Sequence, residues 1–154
     1  QYAITAGNFS TGRGYFLFEH EGALKLAVGA ETPFATASAV IVPANRLTFG
    51  DWYYVAGAYA PAGSNTTVNA YYANLTAGER KLTHSLVDHA IEGTYAKSGS
   101  QFGIGMYGHN TPDKAIDGML DEVAFYDAVL DKSALESHLS RIDRPRRGTI
   151  MIVQ

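Results

Sequence analysis

Short runs of aromatic and aliphatic residues recur along the chain, and each run ends at a cluster of Gly, Asn, Ser or Pro. The strongest run, residues 52–59, is followed by the turn residues 61–65 and then by a second run at residues 66–72. Aromatic and β-branched residues favour strands, and short strands between turn residues are typical of β-sandwiches and barrels. The pattern therefore predicts an all-β fold in which these two runs form a hairpin.

The spacing of apolar residues predicts about eight short strands. Nine runs are candidates for these strands, namely residues 2–6, 15–20, 23–28, 37–42, 52–59, 66–72, 82–87, 101–107 and 119–126. Leu24 and Leu26 flank the charged Lys25, so this run should bury one face and expose the other.

One segment near the end of the chain has a helical pattern. Ser133 and Glu136 have the spacing of a capping box, in which each side chain accepts the other residue's backbone N–H. Leu135, Leu139 and Ile142 follow at a spacing that places them on one face of a helix. We therefore predict one short C-terminal helix that covers part of the β fold.

Length and composition favour a single globular domain. The chain has 154 residues, a formal net charge of −3 and no cysteine, which leaves no electrostatic reason to bind nucleic acid and no disulfides. No apolar run approaches the roughly 18 residues that cross a bilayer. We assign a domain to residues 1–142 and a basic linker to residues 143–154, and we expect neither a membrane span nor a nucleic-acid partner.

The patterns of common catalytic and nucleotide-binding sites do not support an enzyme. Residues 103–108 match G-x-G-x-x-G, but no helix pattern follows them as a dinucleotide site requires. G-x-S-x-G does not occur, and the adjacent Asp121 and Glu122 would point to opposite faces of a strand. They could not flank one glycosidic bond. We therefore expect a chain that is not an enzyme and binds no nucleotide.

Two segments resemble signatures of one family. Residues 51–59, DWYYVAGAY, resemble the W-x-x-V-A-x-x-Y strand of laminin-G-like, concanavalin-A-like jelly-roll domains. Residues 118–130, GMLDEVAFYDAVL, are similar to the closing strand of that family, G-x-I-D-E-V-R-I-Y-x-x-x-L, which a short helix follows. The resemblance covers residues 2–142 and implies a two-sheet antiparallel β-sandwich, the jelly roll, with one short C-terminal helix.

The resemblance also implies a function. Domains of this kind act in recognition and adhesion outside the cell or on its surface, with a glycan as the leading class of ligand. We expect a non-catalytic module that binds a glycan or another extracellular protein. The alternatives are a structural module that associates with neighbouring chains through an open sheet edge, and an accessory domain of a larger secreted enzyme.

The chain departs from the family pattern at both ends. The family begins with a strand that precedes residues 3–6, and no such run is present. A sandwich without this strand would expose unpaired backbone groups to which another strand could add. Residues 149–153 could fill the gap, from the same chain or from a second copy, and an upstream segment outside this sequence is the rival explanation.

The family often holds a calcium ion at the rim of the sandwich, and the resemblance makes Asn110, Asp113 and Asp121 candidate ligands. Calcium binds six to eight oxygen atoms and tolerates irregular geometry. The alternative for Asp121 is a structural role, because on a strand it would share a face with Val123 and Phe125 and accept backbone N–H groups there. Both interpretations stay open.

Aromatic side chains suit the glycan hypothesis. The chain has ten Tyr residues, and tyrosine joins a flat apolar face to a hydroxyl group, which fits stacking on a sugar ring. The candidates are Tyr54, Tyr71, Tyr107 and His109, although tyrosine also packs well on a half-buried sheet. We assign Trp52 to the core, and we read His84 and His89 as residues of a solvated loop rather than as zinc ligands.

Overall fold

The computed structural model describes residues 1–8, 13–29, 38–92, 102–105 and 115–142. Eight strands and one helix lie within these ranges. In chain order they are β1 (Tyr2–Asn8), β2 (Arg13–His20), β3 (Ala23–Gly29), β4 (Ser38–Val42), β5 (Tyr53–Ala62), β6 (Asn65–Asn74), β7 (Thr83–Glu92), β8 (Phe102–Ile104) and α1 (Lys132–Arg141).

The strands form two antiparallel sheets. One has five strands in the order β4-β3-β2-β1-β8, and the other has three in the order β5-β6-β7. Each described strand pair is antiparallel. The predicted all-β, two-sheet antiparallel sandwich with one short helix is therefore confirmed. β1 pairs with β2 on one side and with β8 on the other, while residues 149–153 lie outside the described part of the chain.

The predicted hairpin at residues 52–72 is confirmed, but its turn is tighter than expected. β5 and β6 remain paired as far as Ala62 and Asn65, which leaves Gly63 and Ser64 to close the hairpin. Gly63 has a φ of 65°, a value that glycine adopts without the steric cost of a side chain. A two-residue turn keeps the two strands in register up to their ends.

The space between the sheets is filled by apolar side chains from both. Ile4, Leu17 and Leu26 of the five-stranded sheet form one cluster with Val55 and Val68 of the three-stranded sheet. Gly57 lies where the sheets approach closely, because a Cβ atom added there would lie 2.6 Å from Cδ2 of Leu26. The alternation of faces predicted for Leu24 and Leu26 is confirmed, since both are buried and Lys25 between them is partly exposed.

A second cluster lies on the outer face of the three-stranded sheet, beneath the helix. Leu135 and Leu139 are both at 0% exposure and pack with Tyr54 and Tyr71. The predicted apolar face of the helix, which Ile142 completes, is confirmed. Within the part of the chain that the structure describes, no helix has both the length and the apolar character to cross a membrane.

The start of the helix differs from the prediction. Asp131 is the N-cap, and its Oδ1 accepts the backbone N–H of Ala134 at 2.7 Å, so the helix begins at Lys132 rather than after Ser133. Aspartate and serine are both good N-cap residues, so the spacing of Ser133 and Glu136 could not by itself identify the residue that caps the helix. Glu136 instead accepts the backbone N–H of Leu82 at 3.1 Å and links the helix to the sheet.

Residues 119–126 do not form the predicted closing strand. The structure describes this segment throughout and gives it no strand pairing. Its faces nevertheless alternate, because Val123 and Phe125 pack on the cluster between the sheets while Ala124 and Tyr126 pack on the cluster beneath the helix. The apolar pattern of residues 119–126 therefore reflects burial on two sides of the segment. The prediction that this segment pairs with a neighbouring strand is wrong.

β7 is longer than predicted and contains a bulge. Its pairing with β6 shifts register between Val68 and Ala70, and Asp88 has a φ of 45°. Asn69 supports the bulge, since its Oδ1 accepts the Asp88 backbone N–H at 3.0 Å and its Nδ2 donates to the Asp88 carboxylate at 3.1 Å. His84 and His89 lie in this strand, so the loop expected there is wrong.

Candidate functional site

One end of the sandwich holds a cleft of about 230 Å³. The end of β2, the start of β3, the segment that leads from β4 into β5, and residues 116–119 meet there. We call this the rim cleft, and the lining residues that bear on its chemistry are Glu19, Phe49, Asp51, Trp52, Asp117 and Met119.

Large apolar side chains reach solvent at the rim cleft. Phe49 is 82% exposed and Met119 is 59% exposed. Trp52, which we assigned to the core, is only partly buried and packs at the margin of the cluster beneath the helix. Single exposed apolar residues are common on protein surfaces, but several around one concave site indicate binding.

Three carboxylates line the same cleft. Oε1 of Glu19 accepts the backbone N–H of Gly22 at 2.8 Å, and Oδ2 of Asp51 accepts Nδ2 of Asn74 at 2.8 Å. The third carboxylate belongs to Asp117, which is exposed. Among the described residues that line the cleft there is no Lys, Arg or His, and the N-terminal ammonium of Gln1, which donates to the carbonyl of Glu19 at 3.1 Å, stands against the three carboxylates, so the net charge is negative.

The loop that carries Phe49 is held by hydrogen bonds around one buried hydroxyl group. The Tyr53 hydroxyl donates to the carbonyl of Arg46 at 2.7 Å and accepts the backbone N–H of Thr48 at 2.9 Å. Nδ2 of Asn74 also lies 3.2 Å from this hydroxyl, which connects the loop to Asp51. Phe49 therefore projects from a braced loop.

Two of the tyrosines predicted to face a glycan, Tyr54 and Tyr71, do not line this cleft. Tyr54 is at 0% exposure beneath the helix, where its hydroxyl lies 3.5 Å from the carbonyl of Leu135. Tyr71 is 5% exposed and stacks on His84 with 4.3 Å between ring centroids. Rings without an open face cannot stack on a sugar, so neither residue fits the predicted role. Tyr107 and His109 lie outside the described residues.

The predicted calcium ligands are only partly described. Asn110 and Asp113 lie outside the described residues. Asp121 is exposed, and its Oδ1 accepts the backbone N–H of Glu122 at 2.9 Å, so the alternative expectation of a buried acceptor on a strand is wrong. In the described ranges, no group of three or more His, Cys, Asp or Glu residues is arranged to hold a metal ion.

Sequence reasoning missed the rim cleft because its residues come from separate strand ends. Phe49 and Trp52 flank Gly50 and Asp51, and an aromatic residue beside turn residues was a usable signal for an exposed ring. Nothing local in the sequence places Glu19 or Asp117 beside that ring. Only the pairing of the strands brings the segments that carry Phe49, Glu19 and Asp117 to the same end of the sandwich.

Because some tyrosines are buried, the free energy of unfolding depends on pH in the alkaline range. Burial and the neighbouring Tyr126 raise the pKa of Tyr54 well above its ordinary value, and burial with nearby Tyr59 raises the pKa of Tyr15 to about 12. Unfolded tyrosines lose their protons near pH 10.0, where the folded state still holds them. The unfolded state therefore binds fewer protons above that pH, and the free energy of unfolding falls as pH rises.

We expect the urea midpoint to decrease between pH 10.0 and about 12, and to decrease less steeply in a Tyr54→Phe variant. The phenylalanine keeps the buried ring and removes the ionising hydroxyl. Urea titrations of both proteins, followed by circular dichroism at neutral and alkaline pH, measure the difference. Parallel pH profiles for the two proteins would contradict the role given to Tyr54.

Comparison with known proteins finds no family model, no curated protein and no solved structure that matches the chain. The resemblance to laminin-G-like domains therefore remains a prediction from two motifs.

Proposed function

We propose that this chain is a non-catalytic recognition module that binds a saccharide in the rim cleft. The observation that carries the proposal is the exposed Phe49 ring, at 82%, beside Trp52 and the carboxylate of Asp51. A sugar ring presents C–H groups on its faces and hydroxyl groups at its edge. Aromatic rings pack against the faces of the sugar ring, and carboxylate oxygens accept hydrogen bonds from its hydroxyl groups.

The size of the cleft favours a short ligand. Its volume of about 230 Å³ lies below the roughly 300–1,000 Å³ of sites that enclose drug-sized ligands. One or two sugar units fit a site of this size better than a long chain. The ligand would then be a terminal or exposed unit of a glycan.

The carboxylates of the cleft suit the binding of hydroxyl groups. Glu19 and Asp51 each accept a hydrogen bond from a neighbouring N–H group, which holds both carboxylates in place. Each carboxylate oxygen has a further lone pair, so these groups can also accept hydrogen bonds from the hydroxyls of a bound sugar.

The resemblance to laminin-G-like domains supports the same proposal. Recognition and adhesion at the cell surface or outside the cell are the roles that this resemblance implies. The calcium ion implied by the family would be held by Asn110, Asp113 and Asp121, and it forms no part of the binding proposed for the rim cleft.

Replacing Phe49 with Ala tests the proposal. We expect the affinity for a bound mono- or disaccharide to fall about ten-fold or more, which corresponds to a loss of about 1.4 kcal/mol. Nuclear magnetic resonance titrations with a panel of neutral saccharides measure the affinity of both proteins. Because Phe49 is so exposed, its replacement should leave the urea midpoint unchanged.

Val87→Ala is the matched control, since Val87 is 63% exposed on β7 and does not line the rim cleft. Its affinity should equal that of the unchanged protein. Equal affinities of the Phe49→Ala variant and the unchanged protein, or a panel without any binder, would overturn the proposal.

A second candidate function is assembly between copies of the chain. β8 ends the five-stranded sheet among the described strands, and Phe102 and Ile104 on it are 50% and 49% exposed. A short apolar edge strand can pair with the same strand of another copy. Sedimentation velocity over a dilution series decides between the candidates, because an oligomer abolished by Ile104→Lys would favour assembly.

A further inference from the structure

We infer that the rim cleft selects sugars that carry a protonated amine over neutral and acidic sugars. The inference rests on the proposed function and names the class of ligand for the same cleft. Its basis is the sign of the charge on the lining residues, together with the position of the aromatic rings.

The net charge on the lining is negative. Glu19, Asp51 and Asp117 line the cleft, and its described lining holds no cationic side chain. The N-terminal ammonium of Gln1, which donates to the carbonyl of Glu19 at 3.1 Å, offsets only one of the three carboxylates. Two described ion pairs lie outside this lining, since Lys25 contacts Glu21 at 3.5 Å and Lys132 contacts Glu136 at 3.7 Å. A ligand amine would therefore offset the negative charge that remains on the lining.

The aromatic rings favour the same ligand. Ammonium groups are attracted to the face of Trp or Phe, by about 0.5–1 kcal/mol at exposed sites. Phe49 offers such a face to solvent, and Trp52 lies three residues further along the same braced loop. A protonated amino sugar can place its ring on an aromatic face while its ammonium group meets the carboxylates.

The carboxylates are positioned before a ligand binds. Asp51 is held by Asn74, and Glu19 is held by the backbone of Gly22. Hydrogen bonds between an ammonium group and a carboxylate are stronger than those between neutral groups. Sulfated or carboxylated sugars would instead meet like charge, which disfavours them in the same cleft.

The test compares three disaccharides that differ in charge. We expect the disaccharide of glucosamine, titrated in mildly acidic buffer at low salt, to bind about ten-fold more tightly than its N-acetylated counterpart. A sulfated disaccharide should bind more weakly than either. The preference for the amine should shrink at roughly 1 M salt, where the Debye length falls to about 3 Å.

Charge-removing variants identify the groups responsible. Glu19→Gln and Asp117→Asn should each reduce the preference for glucosamine by about three-fold or more, while affinity for the N-acetylated disaccharide changes little. Asp127→Asn is the matched control, because Asp127 is exposed and lies outside the cleft, and it should keep the full preference.

The outcomes separate this inference from the proposed function. Equal affinities for the amine and the N-acetylated sugar, both lost in Phe49→Ala, would overturn the charge selection and leave the proposed function standing. A preference for the amine that persists in both cleft variants would also overturn the inference. Failure of every saccharide to bind would overturn both proposals.

Discussion

Leu139→Ala is expected to lower the free energy of unfolding by about 2–5 kcal/mol, the range for truncating a buried leucine. Leu139 is at 0% exposure between α1 and the outer face of the three-stranded sheet. Its loss removes buried apolar area and leaves a cavity, because Tyr54 and Tyr71 beneath it are held by other contacts. Urea titration followed by circular dichroism measures the change.

Ser137→Ala is the control for this experiment. Ser137 lies on the exposed face of the same helix, so its replacement should change stability by no more than about 0.5 kcal/mol. If both variants unfolded at the same urea concentration, the helix would not be packed on the sheet as described.

Gly57→Val is expected to cost about 1–3 kcal/mol, because the two sheets leave no space for a side chain there. The first added carbon would lie 2.6 Å from Cδ2 of Leu26, which is itself only 6% exposed. Leu26 cannot move outward without displacing other residues of the cluster between the sheets. Urea midpoints of the variant and of the unchanged protein give the cost.

A double-mutant cycle identifies Leu26 as the obstacle. Leu26→Ala alone creates a cavity, whereas in the Gly57→Val background the valine can occupy part of that space. The two costs should therefore fall short of additivity by about 0.5–3 kcal/mol. Additive costs would show that the strain at Gly57 comes from another contact.

Local patterns were sufficient for much of the fold. The hairpin of β5 and β6 was predictable because an aromatic run, a glycine turn and a second run lie next to each other in the sequence. The buried face of α1 was predictable from the spacing of Leu135 and Leu139. In both cases the information lies within one or two neighbouring elements.

Predictions failed where the outcome depends on distant parts of the chain. The run at residues 119–126 has the alternation of a strand, but pairing requires a partner edge that the run itself does not specify. Tyr54 and Tyr71 looked suitable for a glycan, and they are buried because α1, distant in sequence, covers their face of the sheet. The rim cleft was missed for the same reason.

The bulge in β7 bears on how the molecule avoids uncontrolled association. Among the described strands, β7 spans ten residues at the end of the three-stranded sheet, and a flat edge of that length is a template for aggregation. The turn of the backbone at Asp88, fixed by Asn69, interrupts the regular row of donors and acceptors. A foreign strand could therefore pair with only part of this edge before losing register, and an interruption of this kind makes edge-to-edge growth less favourable.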